Sequence, residues 1–147
     1  MSLSYELHVL TARLDRAADV ILQREADIGY RRFLALFAVT LGNRCQRDLA
    51  IWLGQSEPST SRMVAVLSRE GLLVASRTPG FGNRRELRLT RKGETTVAKC
   101  TTLLQGRFEE LVSRSGVPYA RYQRDTRRLL EQLAPQQRSA TVSASAV

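Results

Sequence analysis

Apolar positions recur along the first stretch of the chain at spacings of four, three, four, three and four: Leu3, Leu7, Leu10, Leu14, Ala17 and Ile21. This heptad-like seam predicts one long helix over about residues 3–27. Its other face carries Arg13, Asp15, Arg16, Asp19 and Arg24. Residues 30–41 are apolar on nearly every side, which predicts a second helix held inside a core, stopped by Gly42-Asn43. Residues 47–53 read as a short third helix. Gly54-Gln55-Ser56 is a tight break, with Gly54 standing where such a turn wants a positive φ. Ser56 then reads as an N-cap, with Glu57 in the first turn. Pro58 is harmless there, because first-turn N–H groups lack helical partners. This fourth helix runs to about Glu70, and Gly71 ends it.

The period then switches. Leu72, Leu73, Val74 and Ser76 lead into the Gly-rich stretch Thr78-Pro79-Gly80-Phe81-Gly82-Asn83, and residues 86–90 alternate apolar and polar beyond it, which predicts a β-hairpin. Gly93 is expected to break the chain before a helix over about residues 94–113. Gly116-Val117-Pro118 makes a turn, and a last helix runs to about Leu133. The predicted fold is mainly α with a small β-hairpin wing: a winged helix-turn-helix over residues 30–93, flanked by long helices in 1–29 and 94–135. These make one unit, 1–135, followed by a polar, small-residue tail (136–147) that is expected to be frayed. A helix-turn-helix followed by a two-stranded wing is a DNA-binding arrangement, with its second helix suited to the major groove.

Charge sharpens this reading. The 147 residues carry a formal net charge of +9, and of 23 cations only Lys92 and Lys99 are lysines. Arginine suits bidentate recognition of phosphates and base edges. Residues 1–43 are balanced, five cations against five anions, whereas residues 44–92 hold ten against four. The surplus therefore sits on the proposed DNA-binding segment, which favours double-stranded DNA as the partner. Within it, Ser56, Pro58, Ser59, Ser61 and Arg62 line the start of the fourth helix. Arg84 and Arg85 tip the hairpin, shaped for a narrow minor groove with its deep negative potential. Enzyme readings lack material: there is one histidine (His8), no nucleophile–base pair, no metal-ligand cluster and no phosphate loop. No catalytic residue, metal or cofactor is expected. The longest apolar run is far too short to cross a bilayer. The first ten residues lack a signal peptide's basic region and long apolar stretch, so a cytoplasmic protein without membrane attachment is expected.

These residues together resemble the MarR family of transcriptional regulators. The resemblance is carried by Leu49-Ala50, Leu53-Gly54, Ser56, Ser61-Arg62, Val64, Leu67 and Gly71-Leu72, and by Leu89-Thr90 with Lys92-Gly93, over about residues 3–134. It implies a homodimer joined through the flanking helices, a palindromic operator, and repression relieved by a small ligand. Two departures stand out. The family's wing carries Asp-x-Arg, in which the Asp braces an Arg that enters the minor groove; here the triplet is Asn83-Arg84-Arg85, and the wing is about two residues short. Arg84 and Arg85 therefore compete for that role.

The second helix borders the effector cavity in this family, which makes Tyr30, Arg31 and Phe37 candidate effector residues together with His8 on the first helix. An Arg beside aromatics can hold an aromatic carboxylate or a phosphate-bearing thioester. Plain core packing of these aromatics, and a partly buried His8, are the competing reading. Cys45 and Cys100 are read as ordinary buried small residues, with redox sensing as the alternative. Beside the ligand-released repressor stand two other readings: a ligand-independent architectural DNA-binding protein, and an interaction module that kept the fold.

Overall fold

The computed structural model describes residues 1–133, so the expected tail at 136–147 lies outside the described residues. The elements follow in the order α1 (Leu3–Ala26), α2 (Tyr30–Thr40), α3 (Gln46–Leu53), α4 (Glu57–Arg69), β1 (Leu73–Arg77), β2 (Arg85–Leu89), α5 (Arg91–Ser115) and α6 (Tyr119–Leu133). This matches the predicted sequence of elements to within a few residues at each end. The chain divides into two compact units, residues 1–106 and residues from 107 onward.

The core of the first unit is built on α2. Phe33, Ala35, Leu36, Ala38 and Val39 are all buried, on a helix with no acidic residue to keep it at the surface. Leu49 of α3, Val64 and Leu67 of α4, Leu72 and Leu73 leading into β1, Leu87 of β2, and Val97 and Cys100 of α5 close around it. Ala50 is buried where α3 meets α4, as the close approach of the two helices requires. Gly54 ends α3 in the left-handed conformation at φ 62°, and the Ser56 hydroxyl accepts from the Ser59 amide to cap α4.

α1 joins this core differently from its seam. The fully buried residue is Leu22, one position beyond Ile21, while Leu3, Leu7 and Leu10 stay exposed. Only the last turns of α1 reach the core, and they are pinned by a bracket of carboxylates. The N-cap of α2 is Gly29, which has no side chain to offer. Asp19, eleven residues earlier, accepts from the Tyr30 amide at 2.8 Å in its place. One turn before it on α1, Asp15 takes the Tyr30 hydroxyl. Burial, reinforced by that carboxylate, holds the Tyr30 phenol above its ordinary pKa. Loss of an N-cap costs about 1 kcal/mol. Asp19→Ala is therefore expected to lower the thermal midpoint by a few degrees, and Asp19→Asn, which keeps the acceptor, to lower it much less. A calorimetric comparison of the two variants checks this.

Gly93 corrects the sequence reading. It does not break the chain; α5 begins at Arg91, and Gly93 sits buried in its first turn. A Cβ built there would lie 2.0 Å from the Leu72 carbonyl oxygen. The residues around it explain the Leu-Thr-x-Lys-Gly pattern. Thr90 accepts from the Gly93 amide through its hydroxyl at 3.0 Å, and that hydroxyl donates to the Gly71 carbonyl at 2.6 Å. Lys92 Nζ donates to the Glu70 carbonyl at 2.8 Å, satisfying an orphan acceptor at the end of α4. The wing's exit is thus stitched to the end of the fourth helix.

In the second unit, the continuation of α5 buries Val112, and Phe108 meets the Tyr119 ring edge-on at 6.4 Å. Gly116 turns the chain at φ 74°. The α6 leucines, Leu129, Leu130 and Leu133, are exposed, and no residue of that helix is buried.

Candidate nucleic-acid interface

β1 and β2 pair antiparallel with Leu73 opposite Leu89, Ala75 opposite Leu87, and Arg77 opposite Arg85. Alternation puts these three pairs on one face of the hairpin. The face is apolar where it meets the core and cationic toward the tip. Arg77 and Arg85 stand directly across from each other, both exposed. Like charges directly opposite each other are mutually destabilising.

Between this wing and α4 lies a groove of about 690 Å³. Glu57, Ser61, Val64, Ala65 and Ser68 of α4 line one side, Arg84, Arg85, Ala75 and Leu87 the other, and Cys45, Gln46 and Arg47 the end where α3 starts. Arg84 and Arg85 both reach it, so the two competitors for the wing contact share one groove. Spacings of four, three, one and three along α4 place short side chains on its groove side, leaving room for a backbone or base edge to approach.

The remaining sequence-predicted residues of α4 lie beside this face. Ser56 Oγ donates to Ser59 Oγ at 3.0 Å, and Arg62 Nη2 donates to the same oxygen at 3.1 Å. This chain presets the Arg62 guanidinium near the helix N-terminus, where the helix dipole favours anions. Pro58 is exposed in the first turn, and Asn83 lies exposed in the loop leading to Arg84. Gly80 and Gly82 shape that loop at φ 89° and 64°, and its amides close on Thr78 and Phe81 carbonyls.

Sequence reasoning missed several groove residues: Gln46, Arg47, Glu57, Ala65 and Ser68. On α4 the available signal was the helical spacing that puts Glu57, Ser61, Ala65 and Ser68 on one side; Gln46 and Arg47, on α3, carried none. It also passed over Glu86, which stands 3 % exposed on the outer face of β2. Glu86 Oε2 accepts from Arg88 Nη2 at 2.8 Å, and Oε1 lies 3.7 Å from Arg44 Nη1. The hydrogen bond from Arg88, a second from Thr78, and the two guanidinium charges hold the Glu86 carboxyl below the ordinary carboxylate range.

The four candidate effector residues are spread out. Tyr30 and Phe37 stack on either side of Phe33, with ring centroids at 6.2 and 5.7 Å. With the Gln55 amide oxygen turned toward it, Arg31 donates there at 2.7 and 3.2 Å, tying α2 to the helix-turn-helix break. His8, read as partly buried, stands exposed on α1. Trp52 of α3 is 41 % exposed. Both thiols are free and buried; burial pushes the Cys100 thiol up, against the opposing pull of Lys99. Among the described residues no helix is long and apolar enough to cross a membrane.

The helix-turn-helix and its hairpin define a winged-helix fold, carried between long helices in chain order. Solved structures share it over most of the chain. The apo form of MarR from Escherichia coli is 20% identical, with a TM-score of 0.73 over 92% of this chain and 98% of that one. MepR of Staphylococcus aureus, a transcription regulator of the multidrug efflux pump MepA, is 21% identical with a TM-score of 0.67, over 90% and 97% of the two chains. The Mycobacterium tuberculosis transcriptional regulator MosR, solved in complex with DNA, is 22% identical with a TM-score of 0.64, over 90% and 96%. The chain therefore has the winged-helix fold of the MarR and MepR regulators. No family model and no curated protein matches it.

Proposed function

We propose that this chain is a sequence-specific DNA-binding transcription regulator. It works as a homodimeric repressor on a palindromic operator and is released by a small ligand such as an aromatic acid or thioester. The observation that carries this reading is the groove between α4 and the wing, where Ser61 and Glu57 face Arg84 and Arg85. A structure of the same fold solved with DNA supports it. Ser56, Pro58, Ser59, Ser61 and Arg62 act at the major groove and its phosphates. Asn83, Arg84 and Arg85 act at the flanking minor groove. The short hydroxyls position the helix, and arginine supplies bidentate contacts.

The dimer is supported by exposed apolar surface on the first and last helices. Leu3, Leu7 and Leu10 on α1, and Leu129, Leu130 and Leu133 on α6, are exposed in the single chain. A second copy would cover them, and two-fold symmetry would set two α4 helices about one DNA turn apart, roughly 34–36 Å. A ligand releases such a dimer only if it binds the DNA-incompetent spacing more tightly. Tyr30, Arg31, Phe37 and His8 are its candidate contacts. Footprinting of the protein on its own upstream DNA, with a salt titration, tests the reading. A protected inverted repeat of about two turns is expected. Diffuse protection erased by salt overturns the repressor and leaves an architectural role.

A further inference from the structure

The wing lacks the acidic brace at Asn83, yet it holds a buried carboxylate elsewhere. Glu86 pairs in register with Ser76, on the opposite face of the hairpin from Arg77 and Arg85. That outer face is otherwise open: Ser76 and Val74 beside it are exposed. Glu86 is buried because Arg88, Arg44 and Thr78 gather over it. Arg44 is held there by its backbone, since its carbonyl accepts from the Leu87 amide at 2.7 Å along the free edge of β2. The guanidiniums themselves face solvent, at 62% and 59% side-chain exposure for Arg44 and Arg88.

The lowered carboxyl pKa means that Arg88, Thr78 and Arg44 offset the desolvation of Glu86, but stability alone does not call for a charge here. Burying a charge carries a desolvation penalty, and an apolar residue at such a position is often as good or better. What the carboxylate does achieve is order in two long side chains that would otherwise lose their freedom only on binding an anion. Each guanidinium has five N–H donors, and Glu86 engages a minority of them. Arg44 also precedes Cys45, Gln46 and Arg47, which form the end of the α4–wing groove. The cationic rim of that groove thus continues around the edge of β2 to Arg88.

We propose that Glu86 is a positioning residue that presets Arg44 and Arg88 as a paired contact for DNA backbone phosphates, outside the groove that reads the bases. This rests on the DNA-binding reading. Arg44 and Arg88 touch the phosphate oxygens, and Glu86 acts through them.

The sign of one substitution separates positioning from bulk charge. Glu86→Gln removes an anion from a cationic surface, so bulk electrostatics alone predicts tighter DNA binding. Positioning predicts weaker binding, by about threefold or more, because an amide accepts less strongly than a carboxylate. The measurement uses the full chain and a duplex that the wild-type protein enriches from a random-sequence pool, over a range of salt. Circular dichroism and thermal melting confirm that each variant is folded. Arg44→Ala and Arg88→Ala are each expected to lower the salt slope by about 0.9, as loss of one phosphate contact does. Glu86→Gln is expected to leave the slope near wild type while weakening affinity. Equal or tighter binding by folded Glu86→Gln, or an unchanged slope in both arginine variants, overturns the proposal while the DNA-binding reading stands. Failure of the wild-type protein to enrich or bind any duplex overturns that reading, and the proposal falls with it.

Discussion

Gly93→Ala is expected to destabilise the winged unit by about 3 kcal/mol, even though alanine is the better helix former. Intrinsic propensity alone favours the alanine by about 1 kcal/mol. The added Cβ, however, would lie 2.0 Å from the Leu72 carbonyl oxygen and 3.0 Å from its carbon. Both are backbone atoms that cannot rotate away, so the start of α5 must lift. Overpacking of this kind costs about 1–3 kcal/mol. Lifting also strains the Thr90 amide bond to Leu72, 3.1 Å, and the Lys92 bond to Glu70. Leaving the buried Leu72 carbonyl unpaired costs about 1–3 kcal/mol more, whereas the Lys92 bond is exposed and adds little. Gly106 supplies the control. It lies in the same helix with nothing within 4 Å of its Cβ position. Gly106→Ala is expected to stabilise by about 0.5–1 kcal/mol. Urea unfolding of the two variants should move in opposite directions, and two shifts of the same sign would mean that propensity, not the Leu72 contact, governs position 93.

The double substitution Arg84→Ala/Arg85→Ala is expected to weaken binding to a selected duplex about a hundredfold at physiological salt. An arginine contact to a base edge or groove is worth about 1–3 kcal/mol, and these two share the same groove. The salt slope should fall by about two if both neutralise phosphate charge. Thermal stability should hold or rise slightly, because loss of Arg85 relieves its like-charge pairing with Arg77. The single variants decide between the two arginines: the one entering the minor groove carries most of the hundredfold loss alone, and the other only a few-fold. Arg85→Lys separates charge from shape, since lysine keeps the charge without the planar fork. Full affinity in the double variant would remove the wing from the interface and leave α4 alone.

Local chemistry was legible wherever one residue's neighbours in sequence are its neighbours in space. Ser56 reads as a cap from its place between Gly54 and a helical run, and it is one. Gly54 reads as a positive-φ turn and is one. The hairpin follows from alternation around a Gly-rich tip, and the all-round apolar pattern of residues 30–41 marks the helix that the core is built on. The surplus of arginine in residues 44–92 likewise needs no structure to be read.

Contacts between distant segments decided the rest. Gly93 looks like a breaker in one dimension; it is a close-packing residue because Leu72 lies against it in three. Asp19 looks like a solvated charge on the polar face of α1, yet it caps α2 because Gly29 leaves that amide open. Glu86 counts as one anion among six cations along the hairpin, and only the convergence of Arg88 and Arg44 makes it a buried brace. Periodicity and capping are short-range preferences set by backbone geometry and side-chain type, so the sequence by itself determined the elements, their order and their charge. Which carboxylate meets which guanidinium, and which glycine faces a carbonyl, depends on how the folded elements pack, and only the tertiary structure decided that.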